Sequence, residues 1–382
     1  MVHSVSTLKN LFSYTRRFTN SAYVFNRQYT TNLTSSGSNV KELKSKKLMI
    51  YEFGDPASVV KMEEEKLRHP GTGEVLIEML VASMNPADMN TIQGTYPIKP
   101  KLPGVPGHEG VGQVTIVGND VNDLAVGDFV IPNIENFGTW RTHIVVPVSS
   151  LLKVPKNVPL VELSGIASNT STAYRMLKDF VPLAPGDCVV QNGANSAVGQ
   201  NVIQFCKALG FKSINIVRNR PDIDKLKEYL TDLGATYVLT EEELRSTQLF
   251  KSGEISSPKL ALNCVGGKSA SEIMRRLSQK GVVVTYGGMS REPVIIPTSL
   301  LIFKDISAKG FWMTRWTKEN RDSEVRKHML TEIMNLMISG KLKAPVHSLI
   351  PLSKYTEALQ NLTNPKGFAG TKYIIDFRLE KS

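Results

Sequence analysis

The chain has 382 residues, 41% of them hydrophobic, and a formal net charge of +11 from 46 basic and 35 acidic residues. That length and apolar content suit an ordinary soluble globular protein of two domains with a sizeable core. No run of eighteen apolar residues occurs, so the sequence offers no transmembrane helix. Cys188, Cys206 and Cys264 lie far apart with no C-x-x-C pair, against both a disulfide framework and a structural zinc site.

The N-terminal segment is basic throughout. No acidic residue precedes Glu42, whereas Lys9, Arg16, Arg17, Arg27 and Lys41 stand among many Ser, Thr and Asn. Such a segment can form a basic amphipathic helix and has the composition of a mitochondrial transit peptide, assigned to residues 1–29. Arg27-Gln-Tyr-Thr30 has the character of a matrix-processing site, pointing to the mitochondrial matrix; a disordered basic tail is the alternative. Without those charges 41 basic residues face 35 acidic ones, a balance of +6. That is too diffuse for nucleic-acid binding but suits an anionic thioester carrier.

Residues 47–52 and 74–82 have strand character, separated by a polar linker at 68–73. Gly104-Val-Pro-Gly-His-Glu-Gly-Val-Gly112 and Val126-Gly-Asp-Phe-Val-Ile-Pro132 are rich in glycine, proline and β-branched residues, and 143–148 reads as a further strand. Together they predict a compact, turn-rich β domain. Helical patterning follows at 172–180. Strands are then predicted at 187–191, 213–217, 237–239, 260–264, 282–286 and 307–311, with helices between them. Six such units make a doubly wound parallel sheet of the Rossmann type, giving an α/β fold. A long helix at 323–339 and a strand at 372–377 close the chain.

Within that sheet, strand 187–191 feeds Gly193-Ala-Asn-Ser-Ala-Val-Gly199 and then a helix at 200–209 stopped by Gly210. A strand, a small-residue turn and a helix N-terminus present backbone N–H groups to a pyrophosphate with little steric obstruction. The turn is not a strict G-x-G-x-x-G, so alone it is weak. The next strand strengthens it by ending in Arg218-Asn219-Arg220, about twenty residues on. A carboxylate there would favour a free ribose hydroxyl. Two guanidinium groups favour a 2′-phosphate, and the cofactor read here is NADPH. Two solvated surface arginines are the alternative.

At this point the chain resembles the medium-chain dehydrogenase/reductase superfamily across residues 48–377. Within it the sequence is similar to the zinc-free, quinone oxidoreductase-like branch that includes the enoyl thioester reductases. The resemblance rests on Asn90-Thr-Ile-Gln-Gly-Thr-Tyr96, Gly138-Thr-Trp-Arg141, Thr172-Ala-Tyr-Arg-Met176, the glycine turn, Val217-Arg-Asn-Arg-Pro221, Leu262-Asn-Cys-Val-Gly-Gly-Lys268, Thr285-Tyr-Gly-Gly-Met289 and Lys309-Gly-Phe-Trp312. It implies a GroES-like catalytic domain over 48–170, a Rossmann domain over 171–315 and a return to the catalytic domain over 316–382. Gly107-His108-Glu109 keeps the histidine region of the relatives' zinc site. Catalytic zinc needs three protein ligands, however, and no cysteine falls before residue 188, so no metal is expected and His108 reads as a structural histidine.

The resemblance also implies an activity: NADPH-dependent reduction of trans-2-enoyl thioesters on CoA or acyl carrier protein, in mitochondrial fatty acid synthesis. Tyr96 matches the family's catalytic tyrosine, and a phenol, with a reference pKa of about 10, remains a proton donor at matrix pH. Asn169, Asn195, Ser196, Ala197 and Val198 would lie near nicotinamide and pyrophosphate, and Arg218, Asn219 and Arg220 at the 2′-phosphate. Tyr286, Gly287, Gly288 and Met289, with Phe311, Trp312, Met313 and Thr314, would line the cofactor, Trp312 also walling an acyl slot. Lys372 matches a late lysine associated with the cofactor, although a charged residue opening a strand is usually just solvated. Residues 299–311 read as a preceding turn and long apolar edge strand through which two copies pair as a homodimer. The competing readings are a zinc-free quinone or 2-alkenal reductase and a non-catalytic NADPH-binding regulatory module.

Overall fold

The computed structural model describes residues 42–363 and 371–380. The transit-peptide and processing-site expectations lie outside them. The first part of the chain forms β1 (Lys44–Met49), α1 (Pro56–Val59), β2 (Lys61–Lys66), β3 (Glu74–Ser83), α2 (Pro86–Ile92), β4 (Gly110–Val117), β5 (Phe129–Pro132), β6 (His143–Pro147), β7 (Leu151–Val154) and α3 (Leu160–Leu163). Next come α4 (Ser171–Asp179), β8 (Cys188–Asn192), α5 (Ala197–Leu209), β9 (Lys212–Val217), α6 (Ile223–Leu233), β10 (Tyr237–Thr240), α7 (Glu241–Ser246), β11 (Leu260–Asn263), α8 (Gly267–Met274), β12 (Val282–Thr285), α9 (Thr298–Lys304) and β13 (Ser307–Gly310). The chain closes with α10 (Met313–Glu319), α11 (Glu324–Ile338), β14 (His347–Ile350), α12 (Tyr355–Thr363) and β15 (Lys372–Asp376).

The six middle strands form one parallel sheet in the order β10-β9-β8-β11-β12-β13. This is the doubly wound order, with its switch point between β8 and β11, where a ligand crevice opens beyond the strand ends. Apolar residues on every central strand explain the burial: Val189, Val190, Ile214, Ile216, Leu260, Leu262, Val283 and Val284 are at most 1% exposed. The α/β class and the Rossmann sheet follow from this topology.

The second sheet is mostly antiparallel, ordered β14-β15-β3-β4-β5-β7 with β6 also on β3. Its central strand β3 is buried over most of its length because Val75, Leu76, Ile77, Met79, Val81 and Ala82 leave few polar side chains to face water. Trp140 is fully buried behind it and donates its indole N–H to the Ser83 carbonyl at 3.3 Å. One continuous core joins the two sheets, with Val81, Val111 and Ile131 packed in the same cluster as Val189, Phe205 and Leu260.

Two expectations need correction. The helix after the glycine turn begins at Ala197 rather than 200, because Ser196 is its N-cap and accepts from the Gly199 N–H at 3.1 Å. Before the edge strand lies not a turn but helix α9, which carries the apolar run Leu300, Leu301, Ile302 and Phe303. The strand itself, β13, is short and exposed at all four residues. An unbroken apolar run cannot distinguish a strand from a helix by period, and Pro297 before Thr298 suits a helix start. Helices α10 and α11 precede the return to the second sheet, and Met329, Ile333 and Met337 of α11 share a cluster with Tyr174 and Phe205.

Candidate active site

The glycine turn is shaped by backbone. Gly193 sits at φ +60°, and a Cβ there would lie 2.4 Å from the Cys264 Sγ, so only glycine fits without displacement. A Cβ on Gly199 would lie 2.6 Å from the Ala194 carbonyl, which allows α5 to run tightly against the turn. Asn192 pins the crevice floor: its Nδ2 donates to Asn263 Oδ1 and its Oδ1 accepts from the Cys264 N–H, both at 2.8 Å. The first N–H groups of α5 therefore open onto the switch point, with Asn195, Ser196, Ala197 and Val198 around them and all only half-buried.

Arg218 and Asn219 are exposed just beyond the end of β9, and Arg220 is half-buried, its Nε donating to the Arg218 carbonyl at 3.4 Å. Burial and the neighbouring Arg218 charge both push the Arg220 guanidinium below its usual pKa. Two like charges held together at the end of the strand suit a polyanion. At the end of β12, Gly287 is half-buried while Gly288 and Met289 are exposed. The Tyr286 hydroxyl is buried beside Ser196 and Cys264, and that burial raises the phenol well above its usual pKa. A glycine cradle, a helix N-terminus and paired arginines together fit a phosphorylated dinucleotide.

A second cluster forms around Tyr96, in the loop after α2. Its hydroxyl accepts the Trp312 indole N–H at 2.8 Å and lies 3.1 Å from Thr314 Oγ1, bringing together residues more than two hundred positions apart. The Tyr96 ring meets Trp312 and His108 edge-on, each with centroids 5.9 Å apart. Trp312 and Thr314 thus converge on Tyr96, as side chains at the start of α10. Phe311 and Met313 turn elsewhere: Phe311 packs edge-on against Phe180 at 5.9 Å, and Met313 is 8% exposed in the core.

Behind Tyr96 lies a polar network that the sequence does not announce. Asp88, fully buried, accepts the Asn85 N–H on one oxygen at 2.7 Å and closes the capping box of α2. Its other oxygen faces His108 Nδ1 at 2.5 Å. Asn85 Nδ2 donates to Glu109 Oε1 at 2.7 Å, while its Oδ1 accepts from Asn169 at 2.8 Å and from Lys372 at 3.0 Å. Glu109 Oε2 accepts the Ser168 N–H at 2.8 Å. Ser168 and Asn169 stand on a π-helical turn, Ile166–Thr170, an irregularity common at working positions. Lys372 is buried rather than solvated, its ammonium 3.5 Å from Glu109 with 6% and 2% of the two side chains exposed.

Among the described residues, no group of three or more His, Cys, Asp and Glu side chains is arranged to hold a metal ion. The positive charge inside the Asn85–Glu109 network is the Lys372 ammonium. Asn85, Asp88, Glu109 and His108 as a site neighbour are the residues that sequence reasoning missed. Only the Asn85-Pro-Ala-Asp88 capping pattern could have flagged two of them.

The chain matches the family model of the alcohol dehydrogenase GroES-like domain over residues 71–156 and that of the zinc-binding dehydrogenases over 197–332. It is 47% identical over 346 residues to the mitochondrial enoyl-acyl-carrier-protein reductase of Rattus norvegicus, covering 90% of this chain and 91% of that one. Two solved structures superpose with a TM-score of 0.81 at 34% identity, each covering 87% of this chain and 100% of the other. They are Etr1p in complex with NADP and crotonyl-CoA, and the mitochondrial 2-enoyl thioester reductase Etr1p/Etr2p heterodimer of Candida tropicalis. The glycine cradle and the convergence on Tyr96 are thus features of a chain that belongs to the family of mitochondrial enoyl-acyl-carrier-protein reductases.

Proposed function

We propose that this chain uses NADPH to reduce trans-2-enoyl thioesters, carried on CoA or acyl carrier protein, to saturated acyl thioesters in the mitochondrial matrix. The observation that carries this reading is the Tyr96 hydroxyl, clasped by Trp312 and Thr314 where the β-rich part of the chain meets the edge of the nucleotide sheet. When bound, NADPH supplies hydride to the substrate Cβ, and the electrons displaced from the double bond spread onto the thioester oxygen. Gly193, Ser196, Ala197 and Val198 would seat its pyrophosphate, Arg218 and Arg220 its 2′-phosphate, and Asn169 and Lys372 would face its nicotinamide end.

The chain's own part is to hold and deliver a proton. An indole N–H is a donor only, so Trp312 must donate to the phenol oxygen. The Tyr96 hydrogen is therefore turned away from Trp312, toward Thr314 Oγ1 or toward a substrate that takes that place. Tyr96 would pass this proton to Cα as the enolate collapses. Exposed Phe303, Ile302 and Leu301 on α9, at 73%, 65% and 45%, together with β13 as the last strand of its sheet among the described residues, support a homodimer formed along that edge. The division into a catalytic domain at 48–170, a Rossmann domain at 171–315 and a return to the catalytic domain at 316–382 is kept.

The test is oxidation of NADPH by a trans-2-enoyl-CoA, run beside NADH and a quinone. Turnover with the thioester and NADPH, and little with the other pairs, is the predicted result. Quinone reduction without thioester reduction would transfer the chain to a different substrate class. Sedimentation that gives a monomer mass at every concentration would end the dimer reading.

A further inference from the structure

The His108 ring packs against Tyr96, and its hydrogen bonds specify its state. Nδ1 lies 2.5 Å from Asp88 Oδ1 and so carries a hydrogen toward the carboxylate. Nε2 faces Thr91 Oγ1 at 3.4 Å. The Thr91 hydroxyl hydrogen is already given to the Ala87 carbonyl at 2.9 Å, which leaves only lone pairs turned toward Nε2. A neutral imidazole with its hydrogen on Nδ1 would set lone pair against lone pair. The imidazolium satisfies both contacts.

We propose that Asp88 and His108 form a charged positioning pair behind Tyr96, holding an imidazolium against the phenol so that the phenoxide left after proton delivery is stabilised. The Asp88 carboxylate is itself fixed by the Asn85 N–H at 2.7 Å and the His108 N–H at 3.1 Å, so it cannot swing away. The His108 and Tyr96 rings stand 5.9 Å apart at 60°, and the Trp312 indole N–H donates to the phenol oxygen. In the step, the Tyr96 O–H bond breaks and its proton forms the new Cα–H bond of the substrate. The electron pair stays on the phenol oxygen as phenoxide, and solvent then returns a proton to it. His108 neither gains nor loses a proton; it acts through Tyr96.

The charges facing His108 are Asp88 from α2, Glu109 beside it and, beyond Glu109, Lys372 from β15. Burial alone would push the imidazole down, but the Asp88 charge and hydrogen bond, aided by Glu109, more than offset it and leave the ring above its usual pKa. The contacts to Asp88 and to Thr91 thus both favour the charged ring.

This inference rests on the enoyl-reductase reading, and the experiment separates the two. In the full chain, His108→Gln is expected to lower kcat about tenfold. The KM for enoyl-CoA and the affinity for NADPH should stay within about twofold. The wild-type loss of kcat at high pH should flatten in the variant, and the solvent isotope effect on kcat should rise. Thr91→Val, which removes the Nε2 acceptor together with the hydroxyl's bond to the Ala87 carbonyl, should move the same quantities less. Independently of turnover, nitrogen NMR of the ring at pH 7 should show both His108 nitrogens protonated. A neutral ring at that pH overturns the proposal, as does a His108→Gln enzyme with lowered melting temperature but an unchanged pH profile. A wild-type chain that fails to reduce enoyl thioesters would remove the substrate reading, while the nitrogen shifts would still decide the state of His108.

Discussion

At the glycine turn the working groups are backbone: Gly193 at φ +60°, the N–H groups opening α5, and a Ser196 cap, all within seven residues of chain. At the Tyr96 end they are side chains delivered from far apart, with Trp312 and Thr314 meeting a tyrosine more than two hundred residues earlier and Lys372 crossing to Asn85 and Glu109. A site of the first kind depends on local conformation and survives most side-chain changes that keep its dihedral angles. A site of the second kind depends on the docking of two sheets around one core, and each buried polar member depends on its partners.

Lys372→Met should break the second kind most severely. It leaves the Glu109 carboxylate, 2% exposed, without its cation, and the expected loss of stability is about 3–5 kcal/mol by denaturant unfolding. Adding Glu109→Gln to that variant should recover part of the loss, because the uncompensated charge goes with it. Removing both Arg218 and Arg220 as alanines should act only at the other end. Each charge-assisted bond to phosphate contributes about 1.5–3 kcal/mol, so NADPH should bind roughly a hundredfold or more less tightly while NADH is unaffected. Unchanged NADPH affinity by titration calorimetry would return both arginines to the solvated surface.

Gly193→Ala tests the backbone principle itself. Forcing a Cβ at positive φ and 2.4 Å from Cys264 Sγ should cost about 1–3 kcal/mol of stability and weaken dinucleotide binding. The rate-limiting chemistry of whatever cofactor still binds should be spared. The smallest effect concerns pH. His108 is raised above its usual pKa in the folded chain, so the stabilisation from its pairing with Asp88 is fully present below about pH 6.5 and is lost as pH rises through the folded value. The melting-temperature gap between wild type and His108→Gln should therefore narrow with rising pH; a gap that widens would contradict the assigned charge.

The same contrast governs what could be read from the chain alone. The six parallel strands, the turn and the two arginines are local patterns, and each appears in the fold within about a residue of where strand period and glycine spacing put it. The start of α5 is not legible from hydrophobic period because the cap is a side-chain hydrogen bond, the Gly199 N–H donating to Ser196 Oγ. Helix α9 resembles a turn and strand in the sequence because Leu300 to Phe303 form an unbroken apolar run with no visible period. Tyr96 came from resemblance, not from its neighbours in the chain. Its true neighbours, Trp312, Thr314 and His108, become adjacent only when the two sheets pack. Lys372 misled for the opposite reason: a lysine opening a strand is normally solvated, and only the folded network of Asn85, Glu109 and Asn169 makes burial tolerable.

The most direct measurement of the account is the single-turnover rate of NADPH oxidation by a trans-2-enoyl-CoA in wild type and in Tyr96→Phe, with NADPH affinity measured on both. The account predicts turnover in the wild type, a rate reduced about 10²–10⁴-fold in the variant, and equal NADPH affinity. Equal rates in the two proteins would show that the proton reaches Cα by another route and would contradict the role given to Tyr96.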